Sequence, residues 1–203
     1  MTSSNFKLSG LLLSVAALTL ATSANAQSSP GGPLGGFSMY TPGTGYLGLN
    51  IGRSDFRLGR GLGGFEFDST DTAYNLYGGS FFNNNVGVEI GFNDFGKVAR
   101  AGGTTKAMGL NASLVGRLPV TQQFNVLGRL GTTYARTDVS ASPLSGLATG
   151  SESGFGLAYG LGVEYAFNPK MAAVLQYDEH NLKFAGSGRE KINVTSVGLK
   201  LRF

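Results

Sequence analysis

The sequence of 203 residues contains no cysteine and only one histidine. These absences argue against disulfide bonds and against metal sites built from cysteine and histidine clusters. The single histidine, His180, follows Asp178-Glu179 and has no serine two positions on, so it lacks the partners of an acid–base–nucleophile site. We interpret His180 as a rim or loop residue. We expect no enzymatic activity, no metal and no cofactor.

Long apolar runs are almost absent too. The one such run, residues 11–20, follows Lys7 and precedes Ala24-Asn25-Ala26, a pattern typical of signal-peptidase sites. It is well short of the roughly 20 apolar residues that a membrane-spanning helix needs. We therefore interpret residues 1–26 as a cleaved secretory signal. Residues 27–43 are rich in proline, glycine and serine, which predicts a flexible lead-in.

Charge is also scarce. Charged residues make up 14% of the chain, and the net charge of +4 is too small and too dispersed to indicate nucleic-acid binding. Glycine, in contrast, is abundant. The 33 glycines, together with few leucine-rich helical patterns, favour an all-β protein.

One stretch, residues 155–167, shows how these glycines are used. Large aliphatic and aromatic residues occupy every second position, and glycine, alanine and Glu164 lie between them. This period of two predicts a strand with one apolar face and one face of small residues. Small residues around a carboxylate fit a narrow barrel lumen, and the apolar face fits lipid. A soluble exported ligand-binding barrel is the alternative, but it would place its large apolar residues inside.

Similar alternation recurs in seven further segments between residues 44 and 203. The pattern predicts an all-β domain, an eight-stranded antiparallel up-and-down transmembrane β-barrel. A spanning barrel of this kind has short turns at one end and longer loops at the other. We predict short periplasmic turns at 83–85, 118–122 and 167–169, and long extracellular loops at 54–71, 94–105, 136–153 and 179–190.

Three motifs carry a family resemblance: VGVEIGFNDFGKV at 86–98, GLGVEYAFNPKMAAVLQYD at 160–178 and SVGLKLRF at 196–203. In order and spacing they resemble the OmpA-type outer-membrane barrels. The resemblance implies a monomer in the outer membrane of a Gram-negative bacterium, surrounded by outer-membrane lipids, with 27–43 on the periplasmic side. It implies a structural or weakly pore-forming role. Because the sequence ends at Phe203, we expect no peptidoglycan-binding domain.

The terminal aromatic residue has an implied role of its own. A last strand that ends in an aromatic residue is similar to the signal read by the barrel-assembly machinery of outer-membrane barrels, and Phe203 fits that pattern. A lipid-facing side chain without a special role is the alternative.

By the same alternation, five charged side chains face the lumen: Glu89, Glu164, Arg129, Lys200 and Arg202. Unpaired charges in a narrow, poorly hydrated interior are costly, so we expect acids and bases to pair there. The pairs have two interpretations. They either fill the tube and fix the register of the strands, or line a small ion path that opens when a pair breaks.

Basic residues near the predicted outer loops suggest another contact. We predict lipopolysaccharide contacts at Arg57, Arg60, Lys97 and Arg100, because cations at this level can bridge lipid phosphates. Ordinary solvated loop charge is the alternative. The same loops also leave open a role as a surface adhesin.

Overall fold

A computed structural model describes residues 45–58, 68–100, 102–145 and 148–203, so the predicted signal and lead-in lie outside the described residues. Eight strands account for most of this part of the chain. They are β1 Gly45–Phe56, β2 Thr70–Phe81, β3 Val86–Arg100, β4 Gly103–Pro119, β5 Phe124–Val139, β6 Gly150–Asn168, β7 Met171–Phe184 and β8 Gly188–Arg202. The only helical turn described is a 3₁₀ turn, Pro143–Ser145. In the described residues, no helix has the length and apolarity to cross a membrane.

Each strand pairs antiparallel with the next, and β1 pairs with β8 to close the barrel. The closing ladder runs from Tyr46 opposite Arg202 to Phe56 opposite Ile192. At its end the Phe203 N–H donates to the Gly45 carbonyl oxygen at 2.9 Å. The predicted eight-stranded up-and-down barrel is therefore confirmed.

The connections alternate between two ends of the barrel. At what we call the turn end, the short predicted turns are present, and side chains of asparagine fix two of them. Asn83 Oδ1 accepts from the N–H groups of Asn85 and Val86, both at 2.8 Å, and Asn168 Oδ1 accepts from Lys170 and Met171, both at 2.9 Å. These bonds close the turns locally, which holds the neighbouring strands in register.

The outer wall carries a continuous apolar band. The exposed residues include Leu49, Ile51, Leu76, Ile90, Leu110, Leu114, Leu130, Leu161, Leu175, Val197 and Leu199. Tyrosine and phenylalanine lie toward both margins of the band, including Tyr74, Phe92, Phe124, Tyr134, Phe155, Tyr165, Phe167 and Tyr177. This apolar surface with aromatic margins is the wall of a membrane barrel. A soluble ligand-binding barrel would instead place its large apolar residues inside.

The opposite end, which we call the loop end, differs from the prediction. The predicted long loops at 94–105 and 179–190 are wrong, because β3 continues to Arg100 before β4 starts at Gly103, and β7 continues to Phe184 before β8 starts at Gly188. The connections within 54–71 and 136–153 are shorter than predicted for the same reason. The strands thus extend well beyond the apolar band.

A hydrophobic core inside the loop end explains these long strands. Its buried members come from most of the strands: Phe56, Leu58, Ala73, Phe95, Val98, Ala107, Ala135, Val139, Leu182, Phe184, Ile192 and Val194. We call this group the apolar cap. Here the alternation is inverted, since apolar side chains point inward and polar side chains such as Lys97 and Lys191 point outward. Burial of this core supplies the stabilisation that lets the ladder continue outside a lipid environment.

Candidate functional site in the barrel interior

Glu89 and Arg129 form the first charged group in the lumen. β3 and β5 carry them, and Arg129 Nη2 lies 2.9 Å from Glu89 Oε2. Tyr46 donates its hydroxyl to the same carboxylate oxygen at 3.0 Å, and Asp178 Oδ2 lies 3.9 Å from Arg129 Nη1. Gly160 stands between Arg129 and Asp178 in the sheet, where a side chain would collide with the Asp178 carboxylate. Glycine at this position therefore makes room for the charged group.

Glu164 is the centre of a second charged group, nearer the turn end. Lys200 Nζ lies 2.9 Å from Glu164 Oε2, and Asn125 Nδ2 donates to Glu164 Oε1 at 2.9 Å. Arg202 pairs with the same carboxylate. Glu164 and Lys200 each keep only 1% of their side-chain surface exposed, whereas Arg202 is partly open to the turn end. All five lumen charges predicted from sequence thus lie inside the barrel and have partners there.

Two tyrosine rings connect the charged groups. Lys200 Nζ lies 4.4 Å from the centroid of the Tyr46 ring and 5.9 Å from that of Tyr77, and the Arg129 guanidinium lies 4.9 Å from the Tyr77 ring. Cations at these distances are attracted to the ring faces. Gly48 leaves room for the Tyr77 ring, because a side chain at position 48 would overlap it. The two groups therefore form one packed unit across the lumen.

Amides and hydroxyls fill the space around this unit. Asn50 contacts Gln176, accepts from the Tyr77 hydroxyl at 3.3 Å and donates to Ser196 Oγ at 3.4 Å. The interior cavity next to Arg129 has a volume of about 10 Å³ and is lined mainly by Asn75, Asn93, Asn111, Ser113, Asp178 and His180. That volume holds about one water molecule. Around Arg129 the lumen is therefore occupied by side chains, with room left for about one water molecule.

His180 is not the rim or loop residue predicted from sequence. It lies within β7, faces the lumen and is buried beneath the apolar cap. Its Nδ1 is 2.9 Å from Thr133 Oγ1, and its ring packs edge-on against Phe95 at 4.8 Å between centroids. The prediction failed because β7 was taken to end before His180. Continued alternation past Asp178 was the signal for an inward-facing position.

The predicted surface cations have different positions. Arg57 and Lys97 are exposed on the outer wall, and Arg60 lies outside the described residues. Arg100 is wrong as a lipid contact, since it is buried inside the loop end with its Nη2 donating to Ser187 Oγ at 3.1 Å. It faces inward because the irregularity between Asp94 and Lys97 shifts the alternation of β3 by one position, so that Lys97 is exposed and Arg100 is buried. Lys106 lies exposed directly opposite Lys97 on β4.

Phe203 lies at the turn end beside β1. Its ring is exposed and covers Gly45, where an added Cβ would lie 2.9 Å from the ring. Its backbone extends the closing ladder by one hydrogen bond. These contacts make Phe203 part of the closing seam, and its role as an assembly signal stays a prediction.

A closed ladder, an apolar outer wall and a polar, filled lumen define an integral membrane β-barrel. The family model for the outer membrane protein beta-barrel domain matches residues 12–203, and the chain belongs to this family. Outer membrane protein A of Salmonella typhi is 30% identical over 135 residues, which are 63% of this chain and 39% of that protein. Outer membrane protein A of Yersinia pseudotuberculosis is 30% identical over 141 residues, covering 63% of this chain and 40% of that protein. The chain therefore matches less than half the length of these relatives.

Solved barrels share the fold at lower identity. The N-terminal β-barrel domain of OprF from Pseudomonas aeruginosa has a TM-score of 0.52 at 13% identity and covers 79% of this chain and 98% of its own. Ail, the attachment invasion locus protein of Yersinia pestis, has a TM-score of 0.50 at 22% identity, with 79% and 99% covered. These similarities support the OmpA-type eight-stranded outer-membrane barrel predicted from sequence.

Proposed function

We propose that this protein is a monomeric structural barrel of the outer membrane, non-enzymatic and closed to ions. The observation that carries the proposal is a lumen filled at three successive levels. Nearest the loop end is the apolar cap, in which Phe56, Phe95 and Phe184 are almost fully buried. The charged and amide groups fill the middle together with the Tyr46 and Tyr77 rings, and Phe81 and Val115 belong to the same buried cluster toward the turn end.

A conducting path would have to cross all three levels. Breaking one ion pair does not open such a path, because the buried side chains of the apolar cap still close the loop end. Arg129 also keeps Asp178 as a second carboxylate at 3.9 Å when Glu89 is removed. The arrangement of these charges therefore favours the structural role over the weakly pore-forming one.

Planar-bilayer recordings test this proposal. We expect refolded parent protein and Glu89→Gln to give no discrete current steps between pH 5 and pH 8, because the apolar cap remains in place. A porin added to the same bilayer controls for sensitivity, and heat-modifiable migration on a gel controls for folding. Current steps in the parent, or steps that appear in the folded Glu89→Gln variant, would overturn the closed barrel.

One surface feature favours a second candidate function, binding of lipopolysaccharide phosphates. Lys97 and Lys106 face each other across the β3–β4 ladder, and both are exposed on the outer wall at the loop end. Like charges directly opposite in a sheet are destabilising. Among the ion pairs formed by the described residues, none provides either ammonium group with a carboxylate. An external phosphate between the two ammonium groups would relieve their repulsion.

Thermal unfolding in vesicles with and without lipopolysaccharide tests this second function. We expect lipopolysaccharide to raise the Tm of the parent more than that of Lys97→Gln/Lys106→Gln, because the double variant lacks the cation pair. Lys183→Gln is the matched control, since Lys183 already pairs with Glu152 at 3.0 Å. An equal Tm increase in the parent and the double variant would argue against the phosphate site.

A further inference from the structure

The outer wall has a groove on the same strands as Lys97 and Lys106, further toward the turn end. Its floor is formed by Ala112 of β4 and Thr132 of β5, which lie opposite each other in the ladder. Larger apolar side chains of the neighbouring rows form its sides: Val88, Ile90, Leu114 and Leu130. The groove has a volume of about 510 Å³. Ligand-binding grooves of proteins typically have volumes of about 300–1,000 Å³.

The floor of the groove has no free polar group. Thr132 Oγ1 donates to the Gly156 carbonyl oxygen at 3.0 Å, so the hydroxyl already has an acceptor within the protein. Polar groups at membrane depth need such an internal partner. Ala112 adds only a methyl group. The groove therefore suits a hydrocarbon chain.

The position of the groove along β4 places it in the outer half of the membrane. A strand crosses the hydrocarbon core in about 9–11 residues. Counted from the exposed Leu118 at the turn end, the crossing of β4 ends near Met108, and Lys106 follows outside it. Ala112 is therefore in the half nearer the loop end, whereas a second groove, over Gly116, is in the half nearer the turn end.

The charge at the loop end of this groove is positive. Lys97 and Lys106 are both exposed there. Asp138 lies opposite Lys106 on β5, but its carboxylate is held by Arg136 Nε at 3.4 Å and by the Ser151 hydroxyl. A ligand that matches both features has an anionic head and an apolar chain.

We propose that the groove seats one acyl chain of the lipopolysaccharide molecule whose phosphate lies between Lys97 and Lys106, an inference that rests on the phosphate site proposed above. The hydrophobic effect does not select this chain, because the surrounding lipid tails are equally apolar. Packing does, because a concave surface gives a chain more atom contacts than a flat wall. The bound phosphate also keeps the chain close to the groove, which raises its effective concentration there. Lipopolysaccharide is the occupant because the loop end of an outer-membrane barrel faces the outer leaflet.

Thermal unfolding in phosphatidylcholine vesicles with two probes tests the proposal. One probe is intact lipopolysaccharide, and the other is its deacylated, water-soluble form, which keeps the phosphates. We expect the intact form to raise the Tm of the parent more than the deacylated form does. Ala112→Leu fills the groove, so it should lower the Tm gain from the intact form to that from the deacylated form. The gain from the deacylated form should not change, which also shows that the variant is folded.

Ala173→Leu is the matched control. Ala173 faces outward on β7, between Tyr165 and Leu199 in the ladders and away from the groove, so this variant should keep both gains of the parent. The groove is overturned if the intact form gives the parent no extra gain, if Ala112→Leu keeps that extra gain, or if Ala173→Leu loses it equally. These results leave the phosphate site intact. If Lys97→Gln/Lys106→Gln keeps the parent's gain from the deacylated form, the phosphate site itself is wrong, and this inference falls with it.

Discussion

Leu161→Arg should destabilise the barrel in a bilayer by about 2–4 kcal/mol. Leu161 lies near the middle of β6, points outward and leaves 69% of its surface uncovered by protein. In lipid this position surrounds the guanidinium with hydrocarbon, which cannot hydrate a charge. Urea unfolding of protein inserted in vesicles measures the loss. Heat-modifiable migration on a gel, which needs no tryptophan fluorescence, reports the folded fraction.

Leu144→Arg is the matched control for this substitution. Leu144 belongs to the 3₁₀ turn between β5 and β6 and is 86% exposed, so it is even less covered by protein than Leu161. At a loop position surrounded by water, the same change should alter the free energy of unfolding by no more than about 0.5 kcal/mol. Similar losses at both positions would contradict the placement of Leu161 in lipid.

The sequence was sufficient to predict the barrel because each strand of a membrane barrel carries two independent signals. Large residues at odd positions of β6 and small ones at even positions assign both the strand and the face, and the structure has Leu161 outside and Glu164 inside as predicted. The turns at 83–85 and 167–169, each with an asparagine that closes it, then define strand order. Local signals of this kind need no knowledge of long-range packing.

The loop end could not be predicted by the same rule. The rule equates an apolar outer face with a spanning strand, but beyond the membrane the apolar residues lie inside, as Phe95, Val98 and Ile192 do. The alternation continues with its sense reversed. Segments 94–105 and 179–190 therefore lacked the expected pattern and were predicted as loops, which also misplaced Arg100 and His180.

The ion pairs show a second limit of sequence reasoning. Alternation predicts that Glu164, Lys200 and Arg202 face the lumen, but it does not say where around the barrel each one lies. The register of β6, β7 and β8 determines this. Glu164 lies opposite Val174 of β7, and Lys200 lies opposite Ala172, two residues along the same strand. Pairing between strands that are not adjacent, such as β3 with β5, depends on closure of the whole barrel.

Glu164→Gln should lower the free energy of unfolding by about 3–5 kcal/mol, the largest loss expected for a single substitution in the lumen. Glutamine keeps the shape of the side chain and its hydrogen bond from Asn125, but it leaves the buried Lys200 ammonium without its carboxylate 2.9 Å away. Arg202 loses the same partner, although it can reach water at the turn end. Urea unfolding in vesicles measures the difference.

Two further variants distinguish destabilisation by the unpaired charge from a general sensitivity of the protein to substitution. Glu164→Gln/Lys200→Met removes both buried charges and should recover a large part of the loss, because an apolar side chain of similar length needs no partner. Glu152→Gln breaks the exposed pair with Lys183, also about 3.0 Å long, and should cost about 0–1 kcal/mol. If Glu164→Gln costs as little unfolding free energy as Glu152→Gln, the Lys200 ammonium is solvated in the folded protein. That result would contradict the filled lumen on which the proposal of a closed barrel depends.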